Sequence, residues 1–107
     1  ASLDAKYHEQ AKNELVEARR LAPTDPKLAY NLGLVYARLS DLSGAESSLK
    51  DAIALKPNYV DPYYALTLLY EQDKKVGLIP DLLKSAQTNL ATYPATLKEK
   101  IEKYTNL

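Results

Sequence analysis

The sequence contains no cysteine, methionine, phenylalanine or tryptophan, and all nine of its aromatic residues are tyrosine. Without cysteine the chain can form neither a disulfide nor a thiolate metal site, so its composition does not indicate a redox compartment. Apolar residues still make up 46% of the chain, which is typical of a globular rather than a disordered protein. Its 107 residues can form one domain with one modest core.

Neither sign of charge is in excess, because 14 basic residues balance 14 acidic residues. No segment concentrates one sign, so nucleic acid and anionic membrane surfaces are not expected partners. No apolar run approaches the ~18 residues of a membrane span, and no signal peptide is recognisable, so no direct membrane insertion is expected. The chain begins with Ala1 rather than Met, which leaves open whether it is processed or cut from a longer protein. The sequence does not distinguish between compartments.

Groups that could carry catalysis or bind metal are also scarce. The only histidine is His8; His8-Glu9 opens like the zinc motif H-E-x-x-H, but Lys12 stands where the second histidine must be. One histidine without cysteine cannot complete a Ser–His–Asp or Cys–His set. The three glycines lie far apart, so there is no phosphate-binding glycine loop. We therefore expect no catalytic residue, no metal site, no cofactor and no small-molecule substrate.

The apolar pattern predicts an all-α fold of about six helices. Asp25 and Pro26 fit the N-cap and first residue of the second helix, and either Asn58 or Asp61 is expected to cap the fourth. Apolar residues recur at helical spacing over six segments, at about 3–21, 26–39, 42–55, 60–73, 79–91 and 95–105.

The same residue types recur every 34 positions along the chain. Such a period indicates an array of similar helical units that pack on their neighbours. About three such periods cover essentially the whole sequence. It relates Leu15, Leu49 and Leu83; Ala18, Ala52 and Ala86; Tyr36, Tyr70 and Tyr104; Pro23 and Pro57; and Leu32 and Leu66.

One stretch combines this period with a distinctive glycine. Glycine within a helix costs ~1 kcal/mol relative to alanine, so Gly33 predicts a close helix contact, opposite Ala45, that leaves no room for a side chain. In the next period Thr67 and Ile79 replace these two residues, and the second helix pair is expected to be splayed. The residues that carry the pattern are Leu32, Gly33, Tyr36, Ala45, Leu49, Ala52 and Pro57.

This pattern resembles the tetratricopeptide repeat, with Ala29 in place of its tryptophan and Leu49 in place of its phenylalanine. The resemblance implies a short right-handed solenoid that forms a single domain over residues 1–107. Its helical hairpins would span about 26–57 and 60–91, with flanking helices at about 3–21 and 95–105. The chain would begin on the second helix of one hairpin and end on the first helix of another.

In this family the first helices of successive hairpins line a concave groove that binds peptides. The resemblance therefore implies a non-enzymatic protein–protein interaction scaffold. An alternative is that the apolar members of the groove simply complete the core. The Lys and Asn that clamp a terminal carboxylate in some members are replaced by Tyr30 and Leu34, so that partner class is not supported. The predicted groove consists of Lys27, Tyr30, Asn31, Leu34, Arg38, Tyr64, Leu68 and Gln72.

The terminal helices suggest a second hypothesis. The first helix lacks a preceding first helix of a hairpin, and the last helix lacks a following second helix. Each missing type is present at the opposite end of the chain, so copies could stack head to tail into an oligomer or filament. A plain capping role for the last helix is an equal alternative. A soluble interaction tail of a larger protein, including a membrane protein, is compatible with both the groove and the stacking hypotheses. The residues predicted to meet across such a contact are Tyr7, Ala11, Leu15, Ala18, Leu97, Ile101 and Tyr104.

Overall fold

The computed structural model describes residues 3–105, which form six α-helices and no strand. A single 3₁₀ turn over Val76–Leu78 leads directly into the fifth helix. The all-α prediction is confirmed, and each predicted helix is observed with ends that differ by two residues at most. The helices are α1 (Leu3–Leu21), α2 (Pro26–Arg38), α3 (Leu42–Leu55), α4 (Val60–Gln72), α5 (Ile79–Asn89) and α6 (Ala95–Thr105).

Short polar segments begin α2 and α3. The Asp25 carboxylate accepts a hydrogen bond of 2.9 Å from the backbone N–H of Lys27, and Pro26 is the first helical residue. Asp41 caps α3 in the same way, because its carboxylate accepts from the backbone N–H of Gly44 at 2.9 Å. The predicted cap and proline of α2 are confirmed.

The predicted cap of α4 is wrong. Its N-cap is Tyr59, and no side chain bonds to the first turn there. Asn58 lies too early in the chain to cap a helix that begins at Val60, and Asp61 already lies inside the first turn. The Asp61 carboxylate therefore lies near the positive end of the helix dipole, which is a favourable position for a negative charge, but it does not cap the helix.

Each helix packs against helices close to it in sequence. Within residues 3–105, helices in contact are neighbours or next but one along the chain, and α2 touches α4 as α4 touches α6. The described chain measures 42 × 29 × 21 Å along its principal axes. The even-numbered helices therefore lie side by side along an elongated molecule.

The core runs from α2 to α6, whereas α1 buries no residue. An ion pair of 3.3 Å between Arg19 and Asp51 links α1 to α3. The largest fully buried side chains all belong to the other helices; they are Leu49, Pro62, Tyr63, Leu66, Thr67, Ile79, Leu83 and Leu97.

Gly33 lies where α2 approaches α3 most closely. A Cβ atom at this position would lie 2.8 Å from both Cγ and Cδ2 of Leu49 and 3.3 Å from its backbone nitrogen. The predicted contact without room for a side chain is confirmed, but Leu49 rather than Ala45 provides the nearest atoms. At the equivalent position of α4, the hydroxyl of buried Thr67 donates to the Tyr63 carbonyl at 2.8 Å. Helix α4 packs against α5 less extensively than α2 packs against α3, and the splaying of this second pair stays a prediction.

The backbone also repeats at 34 residues. Ser40, two residues after α2, has φ 60°, and Lys74, two residues after α4, has φ 56°. The backbone N–H of Asp41 donates to the Tyr36 carbonyl at 2.9 Å, and that of Lys75 donates to the Tyr70 carbonyl at 2.8 Å. Both helices therefore end in Schellman motifs. Three N–H to C=O bonds of 2.9–3.0 Å recur with the same period, from Ala22 to Ala18, from Lys56 to Ala52 and from Leu90 to Ala86.

Replacing Lys74 with glycine is expected to raise the free energy of unfolding by about 0.5–1 kcal/mol. The left-handed conformation costs an L-residue roughly 1–2 kcal/mol that glycine does not incur, and part of this gain is lost to the greater freedom of the unfolded chain. Urea denaturation followed by circular dichroism measures the change. Lys74→Ala is the control, because it removes the same side chain but keeps a Cβ; equal stability of the two variants would contradict the explanation.

Candidate functional site

A groove of about 330 Å³ lies between α2 and α4 and reaches the start of α6. Most of its lining is aliphatic or aromatic, and the polar groups are two tyrosine hydroxyls, one carboxylate, one amide and one threonine hydroxyl. Its lining residues are Tyr30, Leu34, Ala37, Leu49, Val60, Asp61, Tyr64, Ala65, Leu68, Leu69, Gln72, Pro94 and Thr96.

The structure brings together five of the eight predicted groove residues, namely Tyr30, Leu34, Tyr64, Leu68 and Gln72. None of the five is buried, and Leu68 is 41% exposed. Two of them, Tyr30 and Tyr64, also pack against the core, so the groove interpretation and the core interpretation are compatible. The remaining three predicted residues are exposed and outside the lining; they are Lys27, Asn31 and Arg38.

Four groove residues form an apolar strip, Tyr30 and Leu34 on α2 and Tyr64 and Leu68 on α4, and this strip follows from the 34-residue period. Because α2 and α4 lie side by side, Tyr30 and Tyr64 occupy equivalent places, as do Leu34 and Leu68. One period later the corresponding places hold Lys98 and an exposed glutamate in α6. The strip is therefore apolar on α2 and α4 and becomes charged at α6.

Sequence reasoning missed several lining residues. Asp61 and Ala65 lie 34 residues after Lys27 and Asn31, so the same period that placed the predicted residues could also have indicated these two. Pro94 and Thr96 reach the groove because α6 folds back beside α4, and no local pattern indicates this.

At one corner of the groove, Tyr30 and Asp61 lie close to Tyr59, which is outside the lining. The rings of Tyr30 and Tyr59 meet edge to face, with 5.5 Å between centroids and 61° between planes. Burial raises the pKa of both hydroxyls, and the nearby negative charge of Asp61 raises each pKa further. The Lys56 ammonium lies 5.6 Å from the centre of the Tyr59 ring. This corner therefore combines two half-buried aromatic rings with one carboxylate and, over the Tyr59 ring, one ammonium group.

Glu71 fixes α6 beside α4. Its carboxylate accepts hydrogen bonds from the Lys100 ammonium at 2.9 and 3.0 Å and from the Tyr104 hydroxyl. The Tyr104 hydrogen bond is the largest cause of a lowered pKa for Glu71, followed in the same direction by Lys100. The same contacts raise the pKa of Lys100 and of Tyr104. This cluster holds in place the helix whose first residues complete the groove.

Glu71→Gln is expected to lower the free energy of unfolding at pH 7 by about 1–3 kcal/mol, because the hydrogen bonds to a charged acceptor are weakened. A lowered folded pKa gives stability that is present above the ordinary value of 4.5 and is lost as pH falls through the folded pKa. The difference from wild type should therefore shrink in urea melts between pH 5 and about pH 3. Glu99→Gln, on the exposed face of α6, is the control. A difference independent of pH would contradict the ionic explanation.

The residues predicted for self-association divide into two groups. On α1, Tyr7 is 62% exposed, and the other three predicted residues are half-buried. On α6, Leu97 and Ile101 are buried in the chain's own core, and Tyr104 is half-buried beside Glu71. A head-to-tail contact cannot use Leu97 and Ile101 while α6 stays packed, because α4 and α5 already cover that face. The outward residues of α6 are charged, as in a capping helix; they are Lys98, Glu99, Glu102 and Lys103.

Across residues 3–105, no three His, Asp or Glu side chains come together in a group that could hold a metal ion. No helix in this part of the chain has the length and apolar character needed to cross a bilayer. Comparison with protein-family models and with curated proteins finds no match.

Proposed function

We propose that this chain is a non-enzymatic scaffold of tetratricopeptide type that binds an apolar segment of a partner protein in the groove between α2 and α4. The observation that carries the proposal is the groove lining, in which equivalent tyrosines and leucines of two successive repeats face one cavity. The tetratricopeptide assignment is supported by the 34-residue recurrence of helix ends and by contacts confined to nearby helices.

The size and chemistry of the groove suit individual side chains of a peptide. Its volume of about 330 Å³ is at the small end of ligand sites, which commonly span about 300–1,000 Å³. Leu34 and Leu68 offer apolar surface, while the hydroxyls of Tyr30 and Tyr64 can bond to a peptide backbone. A segment that inserts one or two apolar side chains therefore fits better than a flat protein surface.

The groove tyrosines are expected to act as anchors. If a peptide occupies the groove, Tyr30→Ala and Tyr64→Ala should each weaken its binding by roughly 1–4 kcal/mol, as truncation of aromatic anchors often does. Peptides selected from a random phage-displayed library on the wild-type protein provide the ligands, and fluorescence titration gives their affinities. Tyr7→Ala is the matched control, because Tyr7 is 62% exposed on α1, outside the groove.

The two groove variants must also remain folded for this test to be informative. Both tyrosines are partly exposed, so replacing either of them should lower the free energy of unfolding less than a core truncation such as Leu49→Ala does. Selected peptides that bind the double variant Tyr30→Ala/Tyr64→Ala as tightly as wild type would refute the groove as the binding site.

A further inference from the structure

The groove holds one carboxylate that has no basic partner. Asp61 lines the groove from the first turn of α4 and is exposed. Within residues 3–105, no lysine, arginine or histidine nitrogen lies within 4.0 Å of its oxygens, whereas Glu46 and Glu71 each have such contacts. An acidic group in an otherwise apolar groove offers a specific place for a positive charge.

The aromatic rings beside Asp61 add to this preference. Tyr30 lines the groove together with Asp61, and the Tyr59 ring meets the Tyr30 ring edge to face at 5.5 Å. Faces of tyrosine rings attract cations. The Lys56 ammonium already lies over the Tyr59 ring at 5.6 Å, so the Tyr30 ring, which lines the groove, is the one left for a cation of the ligand. Burial raises the pKa of both tyrosines, and the charge of Asp61 raises each pKa further, which places the Asp61 carboxylate close to both rings.

The groove therefore has two chemically different ends. Asp61 stands at the first turn of α4, and Leu68 lies seven residues further along the same helix. Seven helical residues span about 10 Å at a rise of 1.5 Å per residue. An extended peptide covers that distance in about three residues.

We infer that Asp61 and Tyr30 form a subsite for a lysine or arginine side chain of the bound segment, about three residues from an apolar side chain that contacts Leu34 and Leu68. This inference rests on the proposed function, because it specifies which peptide the groove selects. The ligand would carry a basic residue, two intervening residues and an apolar residue, in an order along the chain that the selection itself would reveal.

The test is a parallel selection of random phage-displayed 12-residue peptides on wild type, on Asp61→Asn and on Asp81→Asn. Asp81 is the matched control, because it is an exposed acid in the first turn of α5 and outside the groove. Wild type and Asp81→Asn should enrich peptides with a basic and an apolar residue about three positions apart. Asp61→Asn should retain the apolar preference and lose the basic one.

A second measurement uses one selected peptide and its variant with norleucine in place of the basic residue. Wild type should bind the basic peptide about two- to five-fold more tightly, and Asp61→Asn should bind the two peptides equally. Groove-dependent peptides without basic enrichment, or basic enrichment unchanged in Asp61→Asn, would overturn this inference and leave the proposed function standing. A wild-type selection that yields no peptide sensitive to Tyr64→Ala would overturn both.

Discussion

Gly33→Leu is expected to lower the free energy of unfolding by about 3 kcal/mol, at the upper end of the cost of overpacking a core. A Cβ at this position already lies 2.8 Å from Cγ and Cδ2 of Leu49, and a leucine adds three further carbon atoms. Leu49 is only 1% exposed, so packed neighbours enclose almost all of its side chain and limit how far it can move away. The better helix propensity of leucine, about 0.8–1 kcal/mol relative to glycine, offsets only part of this cost.

Urea denaturation followed by circular dichroism measures the effect, and Gly77→Leu makes the same substitution as a control. A Cβ at Gly77 has no atom within 4 Å, and Gly77 does not adopt positive φ. Its substitution should change stability by no more than about 0.5 kcal/mol, as for most surface changes. If Gly33→Leu proved as stable as wild type, the contact between α2 and α3 would not be as described.

Leu49→Ala should produce the largest loss of stability, about 2–5 kcal/mol, because the neighbouring side chains only partly fill the space left by a buried leucine. Leu49 belongs to the main core cluster and also lies beneath the groove. The same urea melts give the loss. A cost below about 1 kcal/mol, comparable with that of an exposed leucine such as Leu78, which is 49% exposed, would show that the α2–α3 contact is loosely packed.

Combining Gly33→Leu with Leu49→Ala tests whether the two positions share one space. The new leucine would occupy volume that the alanine vacates, so the double variant should be more stable than the sum of the two losses predicts. A coupling of roughly 0.5–3 kcal/mol is expected for residues in direct contact. Additive losses would mean that the two side chains do not compete for the same site.

The sequence alone determined the helices and much of the apolar strip. Helix bounds and the Asp25 cap follow from local preferences that neighbouring residues impose on the backbone. The period of 34 residues carried Tyr30 and Leu34 of α2 onto Tyr64 and Leu68 of α4, so equivalent residues of two neighbouring helices could be assigned to one face. Gly33 indicated a close contact because a glycine inside a helix needs a compensating reason.

Only the tertiary structure decided which distant residues meet. It placed Leu49 rather than Ala45 against Gly33, since the axial offset of two helices depends on the packing of all their side chains. It buried Ile101 inside the chain and brought Pro94 to the groove, because α6 packs against both α4 and α5. Within residues 3–105 it also left no basic nitrogen within 4.0 Å of the Asp61 oxygens. Such pairings depend on side chains from several helices at once, so the periodicity of a single helix does not predict them.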